Sequence, residues 1–168
     1  MKSFLPMFEG SIAAASIPPD FVSRLAERIR TGLIVPGSRR RADYAVASLA
    51  RDRISFRAAS FWTAVSIGLN EVVVERGSTT ISYCVRYWTW TLYCVGGCAL
   101  LFVLLTVSGF VWAEKDIQAH PYGPLLFWGQ AIFWGFAWPW LLTAFHKRFA
   151  ARCLEGILRE LLQAPSRT

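Results

Sequence analysis

Polar and apolar positions divide the chain into three textures. Up to Arg86, charges recur every few residues and apolar positions come in short periodic groups. Two long uncharged runs follow, Tyr87–Ala113 and Ile117–His146, separated only by Glu114, Lys115 and Asp116. Charges return at Lys147 and alternate with leucines towards the C-terminal end. A helix rises about 1.5 Å per residue, so roughly 20 apolar residues cross the ~30 Å hydrocarbon layer of a bilayer. Each run has that length. The pattern therefore predicts a transmembrane helix over 87–113, an external loop over 114–123 and a second transmembrane helix over 124–146.

Ahead of the hairpin, residues 1–19 read as an irregular segment broken by Pro6, Gly10 and Pro18-Pro19. After Asp20, the residues Phe21, Leu25, Ile29 and Leu33 recur every fourth position, as on the buried face of an amphipathic helix that Gly32 would stop. Pro36-Gly37-Ser38 and the triplet Arg39-Arg40-Arg41 read as a loop. The texture then turns β-branched and aromatic. Strand-like stretches fall around Tyr44–Val46, Ile54–Phe56, Phe61–Ile67 and Glu71–Glu75, and the cleanest alternation is Thr79–Tyr87. Four or five short strands with tight turns favour an antiparallel sheet, and one helix lying on it makes 20–86 a small α+β domain. Behind the hairpin, 147–163 reads as an amphipathic helix that packs on the sheet or on a partner. The fold class predicted is thus an α+β membrane protein: a cytoplasmic helix-plus-antiparallel-sheet domain, a two-helix hairpin and a C-terminal amphipathic helix.

Composition agrees with this division. The chain is 54% apolar, above the roughly 45–50% of ordinary soluble domains. Seven of the eight tryptophans lie in or beside the uncharged runs, where amphipathic rings anchor at headgroups. The interfacial anchors expected are Trp88, Trp90, Trp112, Trp140, His146, Lys147 and Arg148. Charge orients the hairpin. The stretch up to Arg86 carries twelve Lys/Arg against seven acids, the stretch after His146 five against two, and the loop one against two. Basic flanks and an acidic loop follow the positive-inside rule, which puts both termini on the cytoplasmic side of an inner or plasma membrane. The net charge of +7 then serves anionic headgroups rather than nucleic acid. Arg39, Arg40, Arg41 and Arg152 are the headgroup-facing residues expected. A signal peptide at the start is disfavoured because Pro6 and Glu9 interrupt its apolar core.

Candidate chemistry is sparse. Cys94 and Cys98 share one face of the first long helix but supply only half of a tetrahedral metal site, and small packing residues explain them. Cys84 and Cys153 fall on the cytoplasmic side, where disulfides are rare. His120 and His146 are 26 positions apart, about 39 Å along a helix, so a single haem cannot use both. Asp43, Asp52, Glu71 and Glu75 sit among arginines at strand ends, and Gly68-Leu69-Asn70-Glu71 reads as a hairpin turn. No nucleophile stands beside a base and no phosphate loop is present. No catalytic residue, metal site or cofactor is predicted.

The second uncharged run is the more unusual. It carries Phe127, Trp128, Phe133, Trp134, Phe136, Trp138, Trp140 and Phe145, notches at Gly129, Ala131 and Gly135, a lone amide at Gln130 and a proline at Pro139. Ala131 and Gly135 form a small-xxx-small pair, Pro139 predicts a kink, and an amide in lipid seeks a hydrogen-bond partner. Trp128, Gln130, Ala131, Trp134, Gly135, Trp138 and Pro139 are therefore the intramembrane partner contacts expected, with a quinone, carotenoid or chlorophyll as a further occupant of the ring-rich face. The function this implies is a non-catalytic accessory or assembly subunit of a larger membrane complex, partnered by other integral membrane subunits. The alternative is a membrane-tethered domain that binds or senses a small ligand in an apolar pocket of at least about 300 Å³.

Overall fold

A computed structural model describes residues 6–32, 42–112, 114–119 and 121–163. Arg39, Arg40, Arg41 and His120, and the side chain of Trp112, lie outside the described residues. Two compact units emerge. One combines the described residues up to Trp90 with those from Lys147 onward, and the other comprises Thr91–His146.

The first unit is a five-stranded antiparallel sheet. Its strands are β1 (Met7–Ala13), β2 (Tyr44–Leu49), β3 (Arg53–Ala58), β4 (Glu71–Arg76) and β5 (Thr80–Arg86), in spatial order β1-β5-β4-β3-β2. Period-two alternation sends Ile54, Phe56, Val72, Val74, Ile81, Tyr83 and Val85 to one face, where all are buried. Helix α1 (Phe21–Arg30) covers that face with Phe21, Val22, Leu25, Ala26 and Ile29, the fourfold spacing legible in the sequence. Gly32, just beyond it, has φ 71°, the left-handed conformation that lets a chain leave a helix. The C-terminal part of a long helix adds Ala150, Cys153, Leu154, Ile157 and Leu158 to the same core. At about 1.5–3 kcal/mol for each large side chain removed from water, this shared layer is the main source of the unit's stability. The opposite face stays polar and is laced by exposed pairs, Arg86–Glu71 at 3.1 Å and Arg53–Glu75 at 3.4 Å, each contributing at most about 1 kcal/mol.

Two segments differ from their sequence reading. The N-terminal stretch is not irregular throughout: Met7–Ala13 pairs with β5 along its whole length, from Met7 opposite Arg86 to Ala13 opposite Thr80. Its alternation is weak because Gly10 occupies the position between Phe8 and Ile12 on the inner face. A Cβ at Gly10 would collide with the Tyr83 ring, so glycine is what allows that ring to lie across β1. Phe61–Ile67 is not a strand but a short helix, α2. Ser60 caps it by accepting from the Thr63 N–H at 3.2 Å, and Gly68 ends it at φ 76°. These end signals override the β-branched and aromatic composition between them.

The C-terminal tail is held to the sheet by more than apolar contact. The Tyr83 hydroxyl donates to Glu155 at 2.6 Å, and Arg28 of α1 pairs with Glu160 at 3.1 Å. The tail is also not a separate helix. It is the end of α6 (Trp138–Gln163), a single helical element across the boundary expected between 146 and 147.

The second unit is a hairpin. Helix α3 (Trp88–Trp112) runs through its first half, and the expected loop contains a short helix, α4 (Glu114–Ala119). Helix α5 (Gly123–Ile132) returns, followed by a π-helical turn at Phe133–Ala137 and then α6. The π-helical turn lies just ahead of Pro139, where the sequence predicts a kink. Proline has no N–H to give and its ring crowds the carbonyl of residue 135, so the preceding turn widens, with the Trp138 N–H bonded to the Phe133 carbonyl. Two helical stretches, Trp88–Val111 and Gly123–Gln163, are long and apolar enough to cross a membrane. Only 11% of each one's apolar window is buried, unlike the largely buried core helix of a water-soluble protein.

Candidate functional site

The hairpin builds its own interface from small residues. On α3, Cys98 and Gly109 are buried on one stripe, with Cys94, Phe102 and Thr106 between and beside them. A Cβ at Gly109 would strike the Phe127 ring, and one at Gly135 would lie 2.8 Å from Phe102 Cδ2. Phe102 meets Phe136 edge-on at 5.7 Å between centroids, and Phe110 meets Trp128 at 5.9 Å. Ala131 is 1% exposed. The Ala131–Gly135 pair therefore faces the first helix of the same chain, and the close approach it permits is made within the hairpin.

The remaining residues of the expected contact set divide by position. Trp134 meets Trp138 edge-on at 5.2 Å between centroids, and Phe133 meets Trp134 edge-on at 5.3 Å and Trp138 at a tilt at 5.9 Å, forming a ring cluster around the π turn. Pro139 is buried. Trp128 is exposed beyond its Phe110 contact, and Gln130 is exposed. Gly129, opposite Ala131 on the helix, has nothing within 4 Å of where a Cβ would stand. Three side-chain hydroxyls of the hairpin bond backwards to their own helices: Thr106 to Phe102 O, Ser108 to Leu105 O and Thr143 to Pro139 O. Gln130 makes no bond of this kind among the described residues. The exposed surface around it, with Leu125, Leu126, Ile132, Phe133 and Trp140, is apolar apart from that amide.

The expected interfacial anchors are not equivalent. Trp88 and Trp140 are exposed, as are Lys147, Arg148 and the headgroup candidate Arg152. His146 is half-buried. Trp90 is buried in the first unit, where its backbone N–H donates to Asn70 Oδ1 at 3.2 Å. Its ring belongs to the domain rather than to an exposed girdle.

The domain also carries an open groove of about 590 Å³ on the polar face of the sheet, lined by Glu9, Ser11, Arg53, Glu75, Ser82 and Arg86 among others. Cys84 lies in it, with its thiol pushed up by burial and by the Glu9 carboxylate, against the opposing pull of Arg86. Cys153, in the core, is pushed up by burial alone. Both thiols are held protonated, the unreactive form. Among the described residues, no group of three His, Cys, Asp or Glu converges as metal ligands would. The groove was not foreseeable from the sequence, because the outer residues of four strands assemble it only once the register is set.

No family model, curated protein or solved structure matches this chain.

Proposed function

We propose that this protein is a non-catalytic accessory or assembly subunit of a larger membrane complex. It is anchored by the hairpin, with the α+β domain and both termini on the cytoplasmic face of an inner or plasma membrane. The observation that carries the reading is the two-sidedness of α5. Ala131 is spent on the hairpin's own packing, while Gly129 and Gln130 look outward. An exposed glycine inside a helix costs about 1 kcal/mol relative to alanine, and Gly129, unlike the similarly open Gly96 and Gly97 of α3, stands beside an amide. An amide facing hydrocarbon gains up to about 2 kcal/mol by finding a hydrogen-bond partner on another helix. A notch beside an amide on an otherwise apolar face fits a neighbouring transmembrane helix of another subunit.

The test is purification from native membranes in mild detergent, followed by mass spectrometry. Integral membrane proteins are expected to co-purify with the parent chain, and Gln130→Leu combined with Gly129→Val should deplete them while the domain stays folded. A clean monomer from the parent chain would sink the reading. A second reading, a tethered domain that binds a small ligand, draws on the sheet-face groove. That groove is lined by charged residues, so its ligand would be polar rather than the apolar molecule the sequence suggested. Binding would appear as a rise in melting temperature of the full chain with charged metabolites, abolished by Arg53→Ala.

A further inference from the structure

Trp62 is the most exposed large apolar side chain among the described residues, at 74%, and its neighbour Phe61 is half exposed. Their rings meet edge-on at 5.7 Å. Both project from α2, whose sequence, Phe61–Ile67, contains no charge. A surface helix facing water normally carries charged residues outward. This one presents two aromatic rings, and it is too well fastened for them to be a frayed end.

The fastening is specific. Ser60 bonds the Thr63 N–H and its hydroxyl also meets Thr63 Oγ1 at 3.0 Å. Thr63 Oγ1 in turn accepts from the Asp43 N–H at 3.3 Å, tying α2 to the start of β2. At the other end a single side chain acts as a brace. Asn70 Nδ2 donates to the Ala64 carbonyl inside α2 at 2.9 Å, while Asn70 Oδ1 accepts from the Trp90 N–H at 3.2 Å. One amide thus links α2 to the first turn of α3, where the apolar stretch beginning at Trp88 leaves the sheet.

Register places this link at one end of the sheet. Met7 opposite Arg86, Glu71 opposite Arg86, Arg57 opposite Glu71 and Tyr44 opposite Ala58 all lie at that end, as do α2 and exposed Trp88. The other end holds the turn between β2 and β3, with Leu49 exposed. We infer that α2 is a bilayer-surface anchor, with Phe61 and Trp62 seated among lipid headgroups beside the point where the first span begins. Aromatic rings with an apolar body and, in tryptophan, one N–H donor prefer that layer. Continuity with the start of the span argues for lipid over a soluble partner. The inference rests on the reading of α3 as a membrane span.

The experiment places the photo-crosslinking residue p-benzoylphenylalanine at Trp62, at Leu49 or at Leu104 of the full chain and irradiates membranes isolated from expressing cells. Leu104 is an exposed position in α3 and tests the span itself. Adducts to lipid are expected at positions 62 and 104 and none above background at 49. Asn70→Ala should reduce the lipid adduct at 62 without changing that at 104. A lipid adduct at 104 with none at 62, or with a protein adduct at 62, overturns the anchor and leaves the span standing. Absence of lipid adduct at 104 overturns the span and the anchor together. Equal lipid adducts at 49 and 62 overturn the assignment of one end of the sheet to the membrane.

Discussion

Leu25 and Leu104 are the same side chain put to opposite uses. Leu25, on α1, is 1% exposed beneath the sheet, and Leu104, on α3, is 57% exposed along the hairpin. The domain hides its aliphatic residues and displays Glu71, Glu75, Arg53 and Arg86 on its outer face. The hairpin reverses this, burying Cys98, Gly109 and Ala131 while turning Leu100, Val103, Val107 and Ile132 outward. In water, burial of apolar area drives association; in lipid that drive vanishes, and close approach through small residues replaces it. On the proposed placement of the hairpin in a bilayer, the two units answer to different solvents, and substitutions of one kind should have opposite consequences in them.

The largest expected difference is in truncation. Leu25→Ala should destabilise the domain by about 2–5 kcal/mol, whereas Leu104→Ala should change stability by less than about 0.5 kcal/mol. Denaturant midpoints of the full chain in detergent measure both, and equal costs would erase the contrast.

Next comes the tail. Tyr83 donates to a carboxylate, so Tyr83→Phe should cost about 1.5–3 kcal/mol. Burial first, then the hydrogen bond to Glu155 and that residue's charge, raise the Tyr83 hydroxyl well above its ordinary value, with Arg159 opposing. The folded state therefore keeps this proton after the unfolded chain has lost it. Stability from this group is full below about pH 10 and falls as pH rises further, because the unfolded state then binds fewer protons than the native one. The parent chain should lose stability above that pH more steeply than Tyr83→Phe, which a pH series of melting temperatures will read.

A smaller effect separates two glycines of the hairpin. Gly135→Val meets Phe102 and should weaken the hairpin by about 1–3 kcal/mol, while Gly129→Val enters open space and should leave it intact. Unfolding by titration with sodium dodecyl sulfate compares them. If Gly129→Val is the more damaging in the purified chain, the outward face has been assigned to the wrong side.

The smallest and most pointed change is Tyr44→Phe. The Tyr44 hydroxyl is buried with no hydrogen-bond partner among the described residues, and burial, with a lesser electrostatic push from Cys153, raises it strongly. Removing a buried unsatisfied oxygen should stabilise the domain by up to about 1 kcal/mol. The two tyrosines thus make opposite predictions for the same substitution, and a loss at Tyr44 would point to a partner for its hydroxyl.

Much of the architecture was legible because it depends on local pattern. The uncharged runs at Tyr87–Ala113 and Ile117–His146, the fourfold spacing from Phe21 to Ile29 and the alternation through Thr79–Tyr87 each need only a short window. The candidate site was legible in composition but not in direction: the sequence marks Gln130, Ala131, Gly135 and the rings as special without saying which of them the hairpin uses for itself.

By itself, then, the sequence determined which stretches are apolar, where α1 turns its buried face, and that an antiparallel sheet of four or five short strands lies ahead of the hairpin, since periodicity is a property of the chain. Only the tertiary structure decided the rest. Met7–Ala13 becomes a strand because β5 offers it an edge to pair with, and Gly10 has room for Tyr83 only in that register. Phe61–Ile67 becomes a helix because Ser60 and Gly68 close its ends and Asn70 braces it to Trp90. Whether Glu155 is a solvated charge or the acceptor for a buried tyrosine depends on a residue 72 positions away. Such choices rest on partners distant in the chain, and no local window contains them.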